Sequence, residues 1–173
     1  MDVIAFRLIH ILGGIFWVGS ALTFFYFVQP SVAATAPGSQ RFLLHLVRTR
    51  RLSDVTLAAA ILNVAAGLIL IWRDSNGFQL DWLLGPGLGF TIGASAAVLA
   101  LILFSSIGYP NTRKLVAIGS MLAAEERPPT QAEAATMASA QRALAPLAIW
   151  VPILLIVAAA CMATARYWPL LYQ

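Results

Sequence analysis

The sequence predicts an all-α integral membrane bundle of four transmembrane helices, folded as a single domain over residues 1–173. Sixty per cent of the residues are apolar and only ten per cent are charged, whereas soluble domains contain about 25% charged residues. Four apolar stretches reach the roughly 20 residues that a helix needs to cross a bilayer. Near the ends of these stretches lie tryptophans, which are enriched at membrane interfaces: Trp72, Trp82, Trp150 and Trp168.

The first two spans are bounded by residues that start or stop helices. The first covers about residues 3–28 and is expected to end at Pro30, because proline lacks an amide donor and clashes with the preceding turn. Its apolar run is too long for the core of a cleaved signal peptide, so we expect it to stay in the membrane. The second covers about 55–72, with Ser53 or Asp54 as the N-cap.

The last two spans follow the same logic. The third covers about residues 88–108, between a Gly-Pro-Gly turn and Pro110, and the fourth covers about 147–165. In the connection 110–146, Thr130 and Glu133 have the spacing of a capping box. A helix starting there would run toward the fourth span and bend near Pro146 or Pro152. In the connection 30–53, residues 39–51 read as an interfacial helix or an extension of the second span.

The basic residues set the expected orientation. Because basic loops stay in the cytoplasm, both termini should lie outside a bacterial inner (cytoplasmic) membrane. The net charge of +4 is too small to indicate nucleic-acid binding; attraction to anionic membrane lipid is the simpler explanation. The first and third connections contain eight of the eleven basic residues: Arg41, Arg48, Arg50, Arg51, Arg113, Lys114, Arg127 and Arg142.

Small residues recur at helical spacing in the third segment. A stripe of such residues lets helices pack closely, or clears space for a flat cofactor or a partner subunit. The sequence does not distinguish these alternatives. The single cysteine, Cys161, excludes an internal disulfide and a CxxC metal site. The stripe repeats every four residues: Gly85, Gly89, Gly93 and Ala97.

His10 is the main candidate for function, because an ionisable residue at membrane depth is costly and usually marks a functional site. Helical rise places it roughly 9 Å from the midplane. Cys161 and Met162 of the fourth span fall at a similar depth, so the three side chains are expected to share a layer. Such a set suits copper(I), and a His/Met pair is also an axial set for haem.

Other residues near His10 have alternative roles. Trp17, two turns further along the same face, would pack against a porphyrin or simply fill the core. Arg7 would hold a propionate, a lipid phosphate or a quinone oxygen. Asn63, in the middle of the second span, needs a polar partner. The structural alternative for His10 is a hydrogen bond to a carbonyl or to Asn63, and His45 is expected on the opposite side of the membrane.

The first span resembles the opening helix of two groups of small bacterial membrane proteins. His10 and Trp17 in an H-x6-W spacing, then Gly19, Ser20 and an aromatic run at residues 24–26, look like the copper-resistance protein D family and the haem-binding, four-helix protoporphyrinogen oxidase family. The resemblance to the latter implies that His10 ligates haem b. That family also has a lysine near the start of its third helix, and residues 79–85 contain none.

Together these features predict a small inner-membrane protein that binds b-type haem or copper through His10, for electron transfer or metal handling. A quinone or a larger membrane complex would be its partner, and any enzyme activity would be that of a haem-dependent oxidoreductase. The alternative is a non-catalytic accessory subunit of a respiratory or photosynthetic complex.

Overall fold

The computed structural model describes residues 2–35 and 38–172, and these residues form a helical bundle. Four helical segments are long and apolar enough to cross a membrane: α1 (Asp2–Ala34), α2 (Leu52–Asp74), α3 (Leu88–Glu125) and α4 (Gln131–Trp168). The predicted number and order of apolar helices are therefore confirmed. Three of the four extend well beyond the predicted spans. At about 1.5 Å per residue, α1, α3 and α4 are each longer than the roughly 30 Å hydrocarbon core of a bilayer.

The predicted helix ends at Pro30 and Pro110 are wrong. In both cases the helix passes through the proline, because a π-helical turn lies just before it, at Phe24–Val28 and at Phe104–Gly108. The amide that follows each turn bonds the carbonyl five residues earlier. This wider turn moves the carbonyls that the proline ring would otherwise strike. Consequently α1 continues to Ala34 and α3 to Glu125.

The predicted N-cap at Ser53 or Asp54 is also wrong. The chain enters α2 through Arg51, which has a left-handed backbone (φ 53°) and is the N-cap residue. The helix therefore begins at Leu52, and Asp54 already lies in its first turn. The carboxylate of Asp54 instead bonds Arg51 and Tyr109.

The helices pack as two close antiparallel pairs, α1 with α2 and α3 with α4, and the pairs meet through α2–α3 and α1–α4. Glycines allow the second pair to approach. A Cβ on Gly89 would lie 2.8 Å from Ala165 Cα, and one on Gly93 would lie 3.2 Å from the carbonyl oxygen of Ala158. The small-residue stripe thus serves packing inside the bundle, although Gly85 precedes α3. The core combines residues from all four helices: Trp17, Ala21, Ala60, Ala100, Leu147, Val151 and Leu155.

Both basic connections lie at one end of the bundle, here called the basic end. Residues 40–49 form a short helical stretch (Gln40–Leu44 and His45–Thr49) that is separate from α2, as the interfacial alternative predicts. It packs on α3, since Leu44 comes within 3.3 Å of a Cβ placed on Gly119. His45 is exposed here, at the end of the bundle opposite to His10.

A helical hairpin extends the basic end. The end of α3 packs against Gln131–Leu144, the first part of α4. The helical pattern of α4 is interrupted at residues 145–146, which include Pro146. The predicted capping box of Thr130 and Glu133 is confirmed. In the turn before it, the hydrogen bonds that Arg127 donates to Glu133 and then to Glu125 raise the pKa of Arg127 above its ordinary value.

Candidate functional site

His10 lies on the side of α1 that faces α2. Its Nδ1 atom is 2.9 Å from the backbone carbonyl oxygen of Asn63. A carbonyl oxygen only accepts hydrogen bonds, so Nδ1 must carry the proton. In the neutral ring this leaves Nε2 with its lone pair, available to a metal ion or to a proton donor.

Gly67 makes room for the imidazole of His10. A Cβ at this position would lie 2.7 Å from Cε1 and 2.9 Å from Nδ1 of the ring. Both distances are shorter than side-chain contacts in folded proteins allow, so any larger residue would push the ring away from α2. Gly67 therefore permits the hydrogen bond to Asn63, one turn earlier on the same helix.

A small cavity lies beside the ring, among α2, α3 and α4. Its volume is about 20 Å³, enough for one water molecule or one metal ion. His10 and Met162 both line it, together with Asn63, Gly67 and apolar residues of α2 and α3. The structure thus places His10 and Met162, which the sequence predicts to lie at one depth, in the wall of one cavity.

Cys161, the third member of that predicted layer, packs elsewhere. Its Cβ lies 3.2 Å from a Cβ placed on Gly93, and the same position is 3.3 Å from Cε of Met162. Cys161 is therefore at the α3–α4 contact and is not among the residues that line the cavity. Of the predicted metal ligands, only His10 and Met162 share it.

Asn63 contributes an unusual buried polar group. The residue is only 6% exposed, and its Oδ1 atom has no hydrogen-bond partner among the described residues. This oxygen faces α1, at 3.1 Å from a Cβ placed on Gly14. An unpaired buried acceptor costs about 1–3 kcal/mol. The sequence predicts that Asn63 needs a polar partner. His10 contacts its backbone carbonyl, whereas the side-chain oxygen has no partner among the described residues.

Trp17 and Arg7 do not line the cavity. Trp17 is 1% exposed and packs in the apolar core with residues such as Ala60 and Leu155. Arg7 lies one turn before His10 and is exposed. The structure therefore gives Trp17 the core-filling position that the sequence allows, and leaves Arg7 free to meet solvent or lipid.

The donor set limits which metal the site suits. Within residues 2–35 and 38–172, no group of three or more His, Cys, Asp or Glu side chains is close enough to hold a metal ion. Imidazole binds several divalent metals, and a thioether selects soft copper(I), so a site with His10 and Met162 suits copper(I) best. The hydrogen bond from Nδ1 to a carbonyl is the usual support for a metal-binding histidine.

A second polar cluster, which no sequence pattern predicts, lies at the basic end. Tyr109 donates to Oδ1 of Asp54 at 2.8 Å, and Arg51 donates to Oδ2 at 3.0 Å. Arg113 donates to the Tyr109 hydroxyl at 3.3 Å. Residues 54 and 109 are joined only by the packing of α2 on α3, so no local spacing signals this cluster.

No family model, no curated protein and no solved structure matches this chain. The resemblance of the first span to the two membrane families stays a prediction.

Proposed function

We propose that this chain is a small membrane protein that binds copper(I) through Nε2 of His10 and the thioether of Met162, for metal handling or electron transfer. One observation carries the proposal. The hydrogen bond from Nδ1 to the Asn63 carbonyl makes Nε2 the nitrogen of the neutral ring that is available to a metal ion, and the ring lines a cavity that it shares with Met162. The first-span resemblance to the copper-resistance protein D family points the same way.

The size of the cavity favours an ion over a porphyrin. A volume of about 20 Å³ accommodates a single ion, whereas pockets for cofactor-sized ligands are about 300–1,000 Å³. The helices would have to separate beside His10 to admit haem b. Haem b is the second cofactor to test, because His and Met are also an axial pair and the oxidase resemblance implies it.

The membrane setting of the proposal follows the charges. We place the basic end in the cytoplasm of a bacterial inner membrane, with both termini outside. The cavity then lies in the outer half of the bundle, where copper would exchange with the periplasm or electrons with a quinone. The accessory-subunit alternative requires the glycine stripe to be available to a partner. Gly89 and Gly93 instead contact α4 within the bundle.

The test is a copper(I) competition titration against a chromophoric chelator, with purified protein in mild detergent. We expect one copper(I) per chain, with binding lost in His10→Ala and weakened at least tenfold in Met162→Leu, since loss of a ligand removes more than about 1.4 kcal/mol. Three matched controls should bind like the wild type: His45→Ala, Met121→Leu and Cys161→Ser.

The same samples distinguish the cofactors. A Soret band that sharpens on reduction, and that is absent from His10→Ala, would identify the cofactor as haem b rather than copper. Folded protein that binds neither would overturn the role of His10 as a ligand and favour the accessory-subunit alternative.

A further inference from the structure

The polar cluster at the basic end carries an excess of positive charge. One guanidinium group, that of Arg51, donates directly to the Asp54 carboxylate, and the other, that of Arg113, donates to the Tyr109 hydroxyl, which in turn donates to Asp54. Arg113 also lies over the Tyr109 ring, with Cζ 5.7 Å from the ring centroid. Since one carboxylate faces two guanidinium groups, the cluster is left with a net charge of about +1.

Most donors of these two arginines are unused by the cluster. Arg51 contacts Asp54 only through Nε, and its side chain is 73% exposed. Arg113 donates to the Tyr109 hydroxyl through Nη1 and is also exposed. Each guanidinium group has five N–H donors in a planar fork that matches the oxygens of a phosphate. The cluster thus fixes one edge of each fork and leaves the other donors exposed.

The surroundings of the cluster fit an anionic ligand. Arg50 and Lys114 are exposed next to the two arginines in sequence. The first turn of α2 begins at Leu52 and has no side-chain cap, so its amides add a partial positive charge on the same side.

We infer that Arg51 and Arg113, held by Asp54 and Tyr109, form a binding site for the phosphodiester headgroup of an anionic phospholipid. A lipid fits better than a soluble phosphate because apolar surface begins beside the cluster: Val55, the residue after Asp54, is 47% exposed at the start of an apolar helix. Headgroup and acyl chain would therefore bind to adjoining surfaces. The site is independent of the proposed copper cavity, which lies nearer the other end.

The experiment is native mass spectrometry of the full chain released from detergent containing phosphatidylglycerol or phosphatidylcholine. We expect preferential retention of phosphatidylglycerol by the wild type. Arg51→Gln and Arg113→Gln should each lower this preference about fivefold, the effect of one basic residue at an anionic surface. Arg142→Gln, an exposed arginine at the same end, is the matched control and should retain the lipid normally.

Two additional measurements separate the possible causes. Asp54→Asn keeps a side-chain oxygen that can accept from Arg51 or Tyr109 and removes the negative charge that competes with the lipid phosphate, so we expect stronger phosphatidylglycerol retention. Inorganic phosphate at the concentration of the lipid should not displace it. Equal retention of both lipids, unchanged retention in Arg113→Gln, or displacement by inorganic phosphate would overturn the inference. Arg113 forms no salt bridge within residues 2–35 and 38–172, so its variant should fold.

Discussion

The Nδ1 atom of His10 donates to the backbone carbonyl of Asn63 across 2.9 Å, and this bond determines which nitrogen of the ring is free. The ring is held between two helices, with the carbonyl of α2 on one side and the cavity shared with Met162 beside it. A single structural hydrogen bond therefore also prepares the ring as a ligand. Four predictions test the packing and the contacts that support this arrangement.

Gly67→Ala should displace the His10 ring. The added methyl would lie 2.7 Å from Cε1, and overpacking of this kind costs about 1–3 kcal/mol. Thermal unfolding in detergent measures the loss of stability, and the copper(I) titration should show weaker binding as the ring moves. Gly19→Ala, on the same bundle with no atom within 4 Å of the new methyl, should change neither. Unaltered copper affinity in Gly67→Ala would contradict the claim that Gly67 provides the space for the His10 ring.

Gly89→Ala should separate α3 from α4. Its methyl would meet the backbone of Ala165 at 2.8 Å, and backbone cannot move aside as a flexible side chain does. We expect a loss of about 1–3 kcal/mol in the free energy of unfolding, again with Gly19→Ala as the control. A variant as stable as the wild type would show that the helices approach less closely here.

Asn63→Leu should leave the fold intact and increase its stability. The hydrogen bond to His10 uses the backbone of Asn63 and would persist, while the unpaired Oδ1 atom, worth about 1–3 kcal/mol of desolvation, would be removed. Chemical unfolding measures the gain. Destabilisation would mean that the amide has a partner, such as a bound water or ligand, which the substitution removes.

Tyr109→Phe should weaken the contact between α2 and α3. It removes the hydrogen bond to Asp54, which contributes about 1 kcal/mol, and it releases Arg113. The matched control is Tyr26→Phe, an exposed tyrosine of α1. Unfolding free energies that fall equally in both variants would contradict a specific role for the Tyr109 hydroxyl.

The sequence predicts the bundle because apolar length alone identifies its four helices. It also predicts the shared depth of His10 and Met162, since helical rise in antiparallel spans fixes depth within a residue or two. The capping box at Thr130 follows from local spacing as well. These features depend on single helices, so no knowledge of packing is needed.

The errors arise where local rules meet tertiary structure. Pro30 and Pro110 stop a helix only if no π turn precedes them, and proline alone does not indicate that turn. Gly67 has no special signal in the sequence, because its role depends on a ring from another helix. The separation of Cys161 from the cavity likewise depends on how α4 is rotated against Gly93, which spacing along one helix does not determine.

The most direct test of the copper proposal is X-ray absorption at the copper edge of the loaded protein. The copper proposal predicts one imidazole nitrogen and one thioether sulfur around copper(I), with the sulfur signal lost in Met162→Leu and kept in Cys161→Ser. A copper environment without sulfur, or one that Cys161→Ser alters and Met162→Leu does not, would contradict the cavity of His10 and Met162 as the binding site.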